Sequence, residues 1–230
     1  MAIPFYLVMT AAEFSRCDRL PQRIGWMSCQ FSPGGKGLSN LPASLPADSL
    51  LILDDQTPPD GHDKDLIRQQ LAEIIDANHC AGLLLDFQRP DDPQTARIAE
   101  ELLSLPCPVC VSHLYAKELS CPVFLPPCPL TVPLSEHLAP WDGREIWLEA
   151  ALDSAVIVVT ETGSRLSPLS PDGDFPHEDT QLHCRYRIEI LPKEVRFHLQ
   201  RTREDLDQLL VDAAAQGVQC AVGLWQELNP

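Results

Sequence analysis

Leu50-Leu-Ile-Leu-Asp-Asp55, the segment Asp65–Asn78 and Ala81-Gly-Leu-Leu-Leu-Asp-Phe87 form the stretch whose reading decides the fold. Four consecutive aliphatic residues at 50–53 show no alternation, so they read as a short strand buried on both faces. Asp54-Asp55 closes it, as a buried parallel strand running into a polar loop does. Pro58-Pro59 and His62-Asp63 then turn the chain into a helix, where Leu66, Ile67, Leu71, Ile74 and Ile75 share one face. Ala81–Phe87 repeats the buried strand. A strand, a helix and a second strand of the same kind make the crossover unit of a parallel sheet.

Working outward, the unit recurs. Phe5–Thr10 and Ile24–Phe31 are β-prone runs before it, and the apolar segment Ile3–Ala12, which no basic residue precedes, reads as a first strand and not as a signal peptide. After it come a helix at Gln94–Leu105 and strands at Val109–Leu114, Val123–Leu125, Glu145–Leu152 and Ala155–Thr162. A helix at Arg203–Gln216, stopped by Gly217, leads into a last strand at Gln219–Trp225. Such alternation gives either an open doubly wound sheet or a closed barrel. About eight strand candidates, and no glycine-rich phosphate loop after the first, favour closure. The expected fold is therefore α/β, an eight-stranded β/α barrel of the TIM type, forming a single domain over residues 1–230. Residues 164–202 interrupt it as a loop and antiparallel insertion. Ser164–Thr180 reads as a surface loop, and Arg185–Leu191, the Pro192-Lys193-Glu194 turn and Val195–Leu199 as a hairpin.

Composition narrows the function classes. A formal charge of −16 repels phosphate backbones and anionic membrane surfaces, which excludes nucleic acid and membrane as expected partners. No apolar run approaches the length of a bilayer span. Nine cysteines, an odd number mostly inside apolar runs, suit a reducing cytoplasmic setting. Cys107-Pro-Val-Cys110 has redox spacing but opens a strand, so its thiols read as structural. His62 with Asp60, Asp63 and Asp65 reads as an acid-rich helix start and not a metal site. Pro33-Gly34-Gly35-Lys36-Gly37 lacks phosphate-loop spacing and reads as a mobile loop over the barrel mouth. The expectation is thus no metal and no cofactor, with a carbohydrate or other small molecule as ligand; oligomeric state leaves no trace in the sequence.

In a parallel barrel the site lies at the carboxyl ends of the strands. The residues closing the apolar strands are Asp54, Asp55, Asp86, Gln88, His113, Tyr115, Glu149, Glu161, Trp225 and Glu227, of which six are carboxylates. Carboxylates around an aromatic floor suit glycosidic chemistry, in which one acid protonates the leaving oxygen and another group steadies an oxocarbenium-like state. Acidic residues also close strands merely as solvated helix caps, so the case rests on the set.

Ala81-Gly-Leu-Leu-Leu-Asp-Phe-Gln88 resembles the fourth-strand signature D-G-x-D-x-D-x-E of family 18 glycoside hydrolases, the chitinase-like barrels, with Gly82, Asp86 and Phe87 in register. Ala221-Val-Gly-Leu-Trp225 is similar to the family's closing strand, whose tryptophan floors the bound N-acetyl sugar. The resemblance implies a barrel that binds or hydrolyses an N-acetylglucosamine-type glycan. It also implies a departure, because Gln88 stands where the family has its general-acid glutamate, and Ala81 and Leu84 replace two signature aspartates. Asp86, Glu149 and Asp55 are the catalytic candidates, with Glu149 or Asp55 taking the acid role from another strand. Gln88, Tyr115, Trp225, Glu227 and Asp54 are the substrate-binding candidates. The other expectation is a catalytically silent barrel kept as a ligand-binding or scaffold protein.

Overall fold

The computed structural model describes residues 3–167 and 169–229. Its elements run β1 (Phe5–Met9), α1 (Ala11–Arg16), β2 (Ile24–Phe31), β3 (Leu38–Ser39), β4 (Leu50–Asp54), α2 (Lys64–Asn78), β5 (Gly82–Asp86), α3 (Pro93–Leu102) and β6 (Val109–Ser112). They continue with β7 (Val123–Leu125), α4 (Leu134–Leu138), β8 (Ile146–Glu149), β9 (Ser154–Thr160), β10 (Gly163–Ser167) and β11 (His177–Asp179). The chain closes with β12 (Cys184–Leu191), β13 (Glu194–Gln200), α5 (Arg203–Ala215), β14 (Val218–Leu224) and α6 (Trp225–Leu228). It divides into two compact units, one of Ile3–Pro126, Gly143–Glu149 and Val218 onward, the other of Pro127–Asp142 and Ala150–Gly217.

The first unit is a closed barrel. Parallel pairing runs β1, β2, β4, β5, β6, β7, β8, β14 and returns to β1, while β3 adds a short antiparallel strand to β2. The strands are short aliphatic runs because both faces are buried. Tyr6, Ile52, Leu84, Cys110, Trp147 and Val222 are among the side chains that fill the lumen. Alternate residues such as Leu51, Leu53, Leu83, Leu85 and Leu148 are buried on the outer face. Gly82 is required by this packing, since a Cβ there would lie 2.9 Å from the Pro108 carbonyl and 3.3 Å from the Trp147 ring.

The helices start and stop where local chemistry sets them. Asp63 caps α2 by accepting from the Asp65 and Leu66 amides, and Asp92 caps α3 by accepting from Gln94 N. Leu102 ends α3 three residues earlier than the periodicity predicts, where the following amides tighten to three-residue turns: Ser104 N donates to Glu101 O at 3.3 Å and Leu105 N to Leu102 O at 3.1 Å. The Pro33–Gly37 segment, expected as a mobile loop, is a hydrogen-bonded β2–β3 hairpin: Ser32 N donates to Gly37 O at 3.0 Å, and Asp63 N donates to Lys36 O at 2.9 Å.

The second unit carries a five-stranded antiparallel sheet in the order β10, β9, β13, β12, β11. Ala155–Thr162, expected as a barrel strand, belongs to this sheet, where it pairs with Glu194–Gln200 and Gly163–Ser167. Its burial explains the correction: Val156 and Val158 are buried while Val159 is exposed, a pattern with one solvated face. The hairpin at 185–199 forms as read, whereas the Ser164–Thr180 loop contributes two exposed strands, β10 and β11. Arg201, 2% exposed, ties the unit together by donating to the carbonyls of Cys128 (2.9 Å), His183 (3.1 Å) and Leu182 (3.3 Å). No helix among the described residues is long and apolar enough to cross a membrane.

Candidate functional site

Strand parity sets which side chains rim the barrel lumen. Ile52, Leu84 and Trp147 belong to the lumen cluster, so Asp54, Asp86 and Glu149, each two residues further on, lie on the same face at the carboxyl ends of β4, β5 and β8. Asp54 stands in register with Gln30 of β2 on one side and Asp86 of β5 on the other. Adjacent strands lie about 4.8 Å apart, so the two carboxylates are close neighbours. Ser112, following Cys110 by the same parity, is buried and donates its hydroxyl to the Phe87 carbonyl at 2.7 Å.

The two aspartates share an environment that disfavours charge. Burial pushes the Asp54 carboxyl above its ordinary value; the Gln56 amide, donating at 3.0 Å, opposes the shift, and the charges of Asp86 and Asp55 add to it. Burial likewise raises Asp86, with a hydrogen bond from Gln88 opposing and the Asp55 charge adding. A carboxyl that holds its proton more firmly than in water is a candidate donor to a ligand, and such perturbed groups cluster at functional sites. Gln88 is exposed, and its side-chain amide nitrogen donates to Asp86 Oδ1.

Asp55 has a different environment. It is 2% exposed, and its carboxylate accepts from the backbone amides of Gln88 (2.8 Å) and Arg89 (3.0 Å). Arg89 returns two bonds, from Nε to the Asp55 carbonyl (2.8 Å) and from Nη2 to the Gln56 carbonyl (3.0 Å). Tyr115 holds the other side of the same loop: its hydroxyl donates to the Arg89 carbonyl and accepts from Asp92 N at 3.2 Å, while its ring stands edge-on to the buried Phe87. The loop after β5 is thereby fixed at Gln88, Arg89 and Asp92.

Trp225 follows β14, the eighth barrel strand, as the first residue of α6, and is half-buried; Glu227, two residues on, is exposed. His113 lies just beyond β6, its pKa lowered by burial and by Lys117. Glu161 sits in the exposed β9–β10 turn of the antiparallel unit and closes no barrel strand. Sequence reading passed over Gln30, Ser112 and Arg89. Gln30 was concealed because β2 carries an irregularity between Trp26 and Cys29 that resets its parity. Arg89 had no periodic signal at all.

Of the remaining motifs, Cys110 is buried in the lumen cluster with its thiol raised by burial, and Cys107 is raised to about 11 for the same reason. His62 Nε2 donates to the Ser32 carbonyl (3.1 Å), and the ring packs edge-on to Phe31. Among the described residues no cluster of three or more His, Cys, Asp or Glu side chains is arranged to hold a metal ion.

No sequence-family profile and no curated protein sequence matches the chain. Solved structures do resemble it. The spore cortex-lytic enzyme SleL of Bacillus megaterium superposes with a TM-score of 0.53 at 10% identity, over 97% of this chain and 70% of that one. SleL of Bacillus cereus gives 0.54 at 8% identity, over 99% and 71%. A chitinase of Chromobacterium violaceum gives 0.52 at 9% identity, over 96% and 93%. At these identities the likeness is one of fold: the chain shares the barrel architecture of these solved structures.

Proposed function

We propose that the barrel mouth binds a short N-acetylglucosamine-type oligosaccharide, in a glycoside-hydrolase-like barrel of the family 18 kind whose leaving-group protonation is impaired. The observation that carries this reading is the strand register, which sets Asp54 beside Asp86 on the lumen face and Glu149 on the same face of β8, with Trp225 directly after the eighth strand. Carboxylates accept from sugar hydroxyls, and an indole covers the apolar face of the ring. Similarity in fold to proteins named as cortex-lytic enzymes and as a chitinase supports the sugar class. A charge of −16 stands against nucleic acid as the ligand. In a cytoplasmic setting the ligand is a short recycled oligosaccharide and not a polymer.

Gln88 decides how far the chemistry goes. Its amide donates to Asp86 and has no acidic proton to deliver to a leaving oxygen. Asp55, with its carboxylate engaged by two backbone amides, positions the Gln88–Arg89 segment instead of moving a proton. Glu149 is then the candidate acid on another strand, beside the raised carboxyls of Asp54 and Asp86, while Tyr115 and Glu227 border the mouth. The same Gln88–Asp86 hydrogen bond favours a second reading, a catalytically silent barrel that only binds a ligand or partner.

Calorimetric titration with N-acetylglucosamine disaccharide, together with turnover of an aryl glycoside of that sugar, separates the readings. Binding with little turnover is expected, and Gln88→Glu raises the turnover, while Glu149→Gln removes what the parent shows. Binding with no turnover in any variant assigns the silent reading. No binding of the disaccharide overturns the sugar site.

A further inference from the structure

Strand register gathers an uncharged surface on the antiparallel sheet of the second unit. Ile188, Phe197, Ile157 and Leu166 stand level with one another on β12, β13, β9 and β10. Ile190, Val195, Val159 and Ser164 form the next row of the same face, two residues along each strand. The row on the other side, Tyr186, Leu199 and Ala155, packs with Leu130 into a buried cluster. The two rows beyond it are left largely open: Ile190 is 80%, Leu166 71%, Ile188 45% and Val159 36% exposed. These are four of the eight large apolar side chains exposed among the described residues, and only scattered ones need no explanation.

Charge indicates what can cover this face. The opposite face of the same strands sets Arg165, Arg196 and Glu189 in one row, whereas the open rows carry no charged residue, on a chain of formal charge −16. A symmetric contact lays a surface on its own copy, so an acidic patch would repel itself and an uncharged one does not. The turns beside the open rows are complementary as well. β9 and β12 both end at that edge of the sheet, so the exposed Glu161 of the β9–β10 turn and the exposed Lys193 of the β12–β13 turn flank the central β9–β13 pair. A two-fold axis parallel to the strands, between β9 and β13, lays β9 on β13 and β10 on β12 of a second copy. It sets Leu166 over Ile188 and Glu161 over Lys193, each contact made twice. Strands kept within about 30° of alignment are the common geometry of packed sheets.

The geometry points to a weak two-fold dimer of this chain, closed by the open apolar rows and by Glu161 and Lys193 paired across the turns. Two rows on strands about 4.8 Å apart cover far less than the roughly 800 Å² a side of a standard interface. The dissociation constant is therefore on the order of 100 µM, and the dilute chain is a monomer. This dimer does not depend on the sugar-binding reading.

Sedimentation velocity on the whole chain, from about 5 µM to about 1 mM, tests this. Monomer at the low end and dimer at the high end are expected, with Leu166→Asp or Ile188→Asp raising the dissociation constant roughly tenfold or more. Glu161→Lys and Lys193→Glu, each alone, are expected to weaken the dimer about threefold, and the double reversal to restore it, because the pairs are then exchanged and not lost. All four positions are exposed, so an unchanged melting temperature at low concentration reports that each variant is folded. A parent that stays monomeric throughout overturns the dimer and leaves the face to a partner of other chemistry. A dimer indifferent to both aspartate variants lies elsewhere on the chain and overturns the assignment. Charge reversals that have no effect singly, or that add instead of cancelling, overturn the two-fold arrangement.

Discussion

The carboxylates of the barrel mouth and those of the antiparallel sheet are treated in opposite ways. On the sheet, Glu194 meets Arg196 at 2.5 Å, Glu189 lies 3.5 Å from Arg196 and 3.3 Å from His198, and Asp172 pairs with Arg187. At the mouth, the groups acting on Asp54 and Asp86 are other carboxylates, the Gln56 amide and the Gln88 side chain, and none is basic. The second unit sets these acids against basic side chains, and Glu189 meets Arg196 and His198 across strands as pairs on a half-solvated surface do. The mouth leaves like charges together beside an apolar lumen, an arrangement that costs stability and is characteristic of a site. The difference is the one the proposed site at the barrel mouth rests on.

The largest effect expected is on the barrel wall that creates this environment. Leu85→Ala, at a fully buried position of β5, should cost about 2–5 kcal/mol in urea unfolding. Asp55→Asn comes next, at about 2 kcal/mol, because one of two backbone amides loses a charged acceptor and meets an NH₂ group instead.

Asp54→Asn should act in the reverse direction. The folded-state pKa of Asp54 lies above its ordinary value, so its neutral form favours folding. That contribution is complete below the unfolded carboxylate pKa and is lost as pH rises through the folded value. The variant is therefore expected to melt higher than the parent at pH 7, with the difference closing on acidification. A variant that melts lower at pH 7 would erase the contrast between mouth and sheet. The smallest effect belongs to the sheet: Ile190→Ser, at an 80% exposed position, should change stability by no more than about 0.5 kcal/mol. A larger loss would mean that this face is packed and not solvated.

Much of this was legible before any coordinates. The runs at 50–53, 82–86 and 109–112 have no polar face to offer, so they admit only a doubly buried strand, and the helices between them force parallel crossovers. The carboxylates closing the strands were equally visible, yet Asp54 and Asp55 are adjacent in sequence and identical in type. Pleating sends one into the lumen and the other to the backbone of a neighbouring loop, 33 residues further along the chain. The run at 155–162 read as barrel because five of its eight residues are aliphatic or alanine, and only its pairing partners assign it to another sheet.

The amino-acid sequence by itself determined the buried strands and helices of the parallel crossovers and the carboxylates that close those strands, because periodicity and burial act over a few neighbouring residues. Tertiary structure alone decided that Asp54 and Asp86 share one desolvated face, that Asp55 is a clasp, and that Gln88 rests on Asp86. Those outcomes depend on register between strands separated by tens of residues, and register is fixed only when the whole barrel closes.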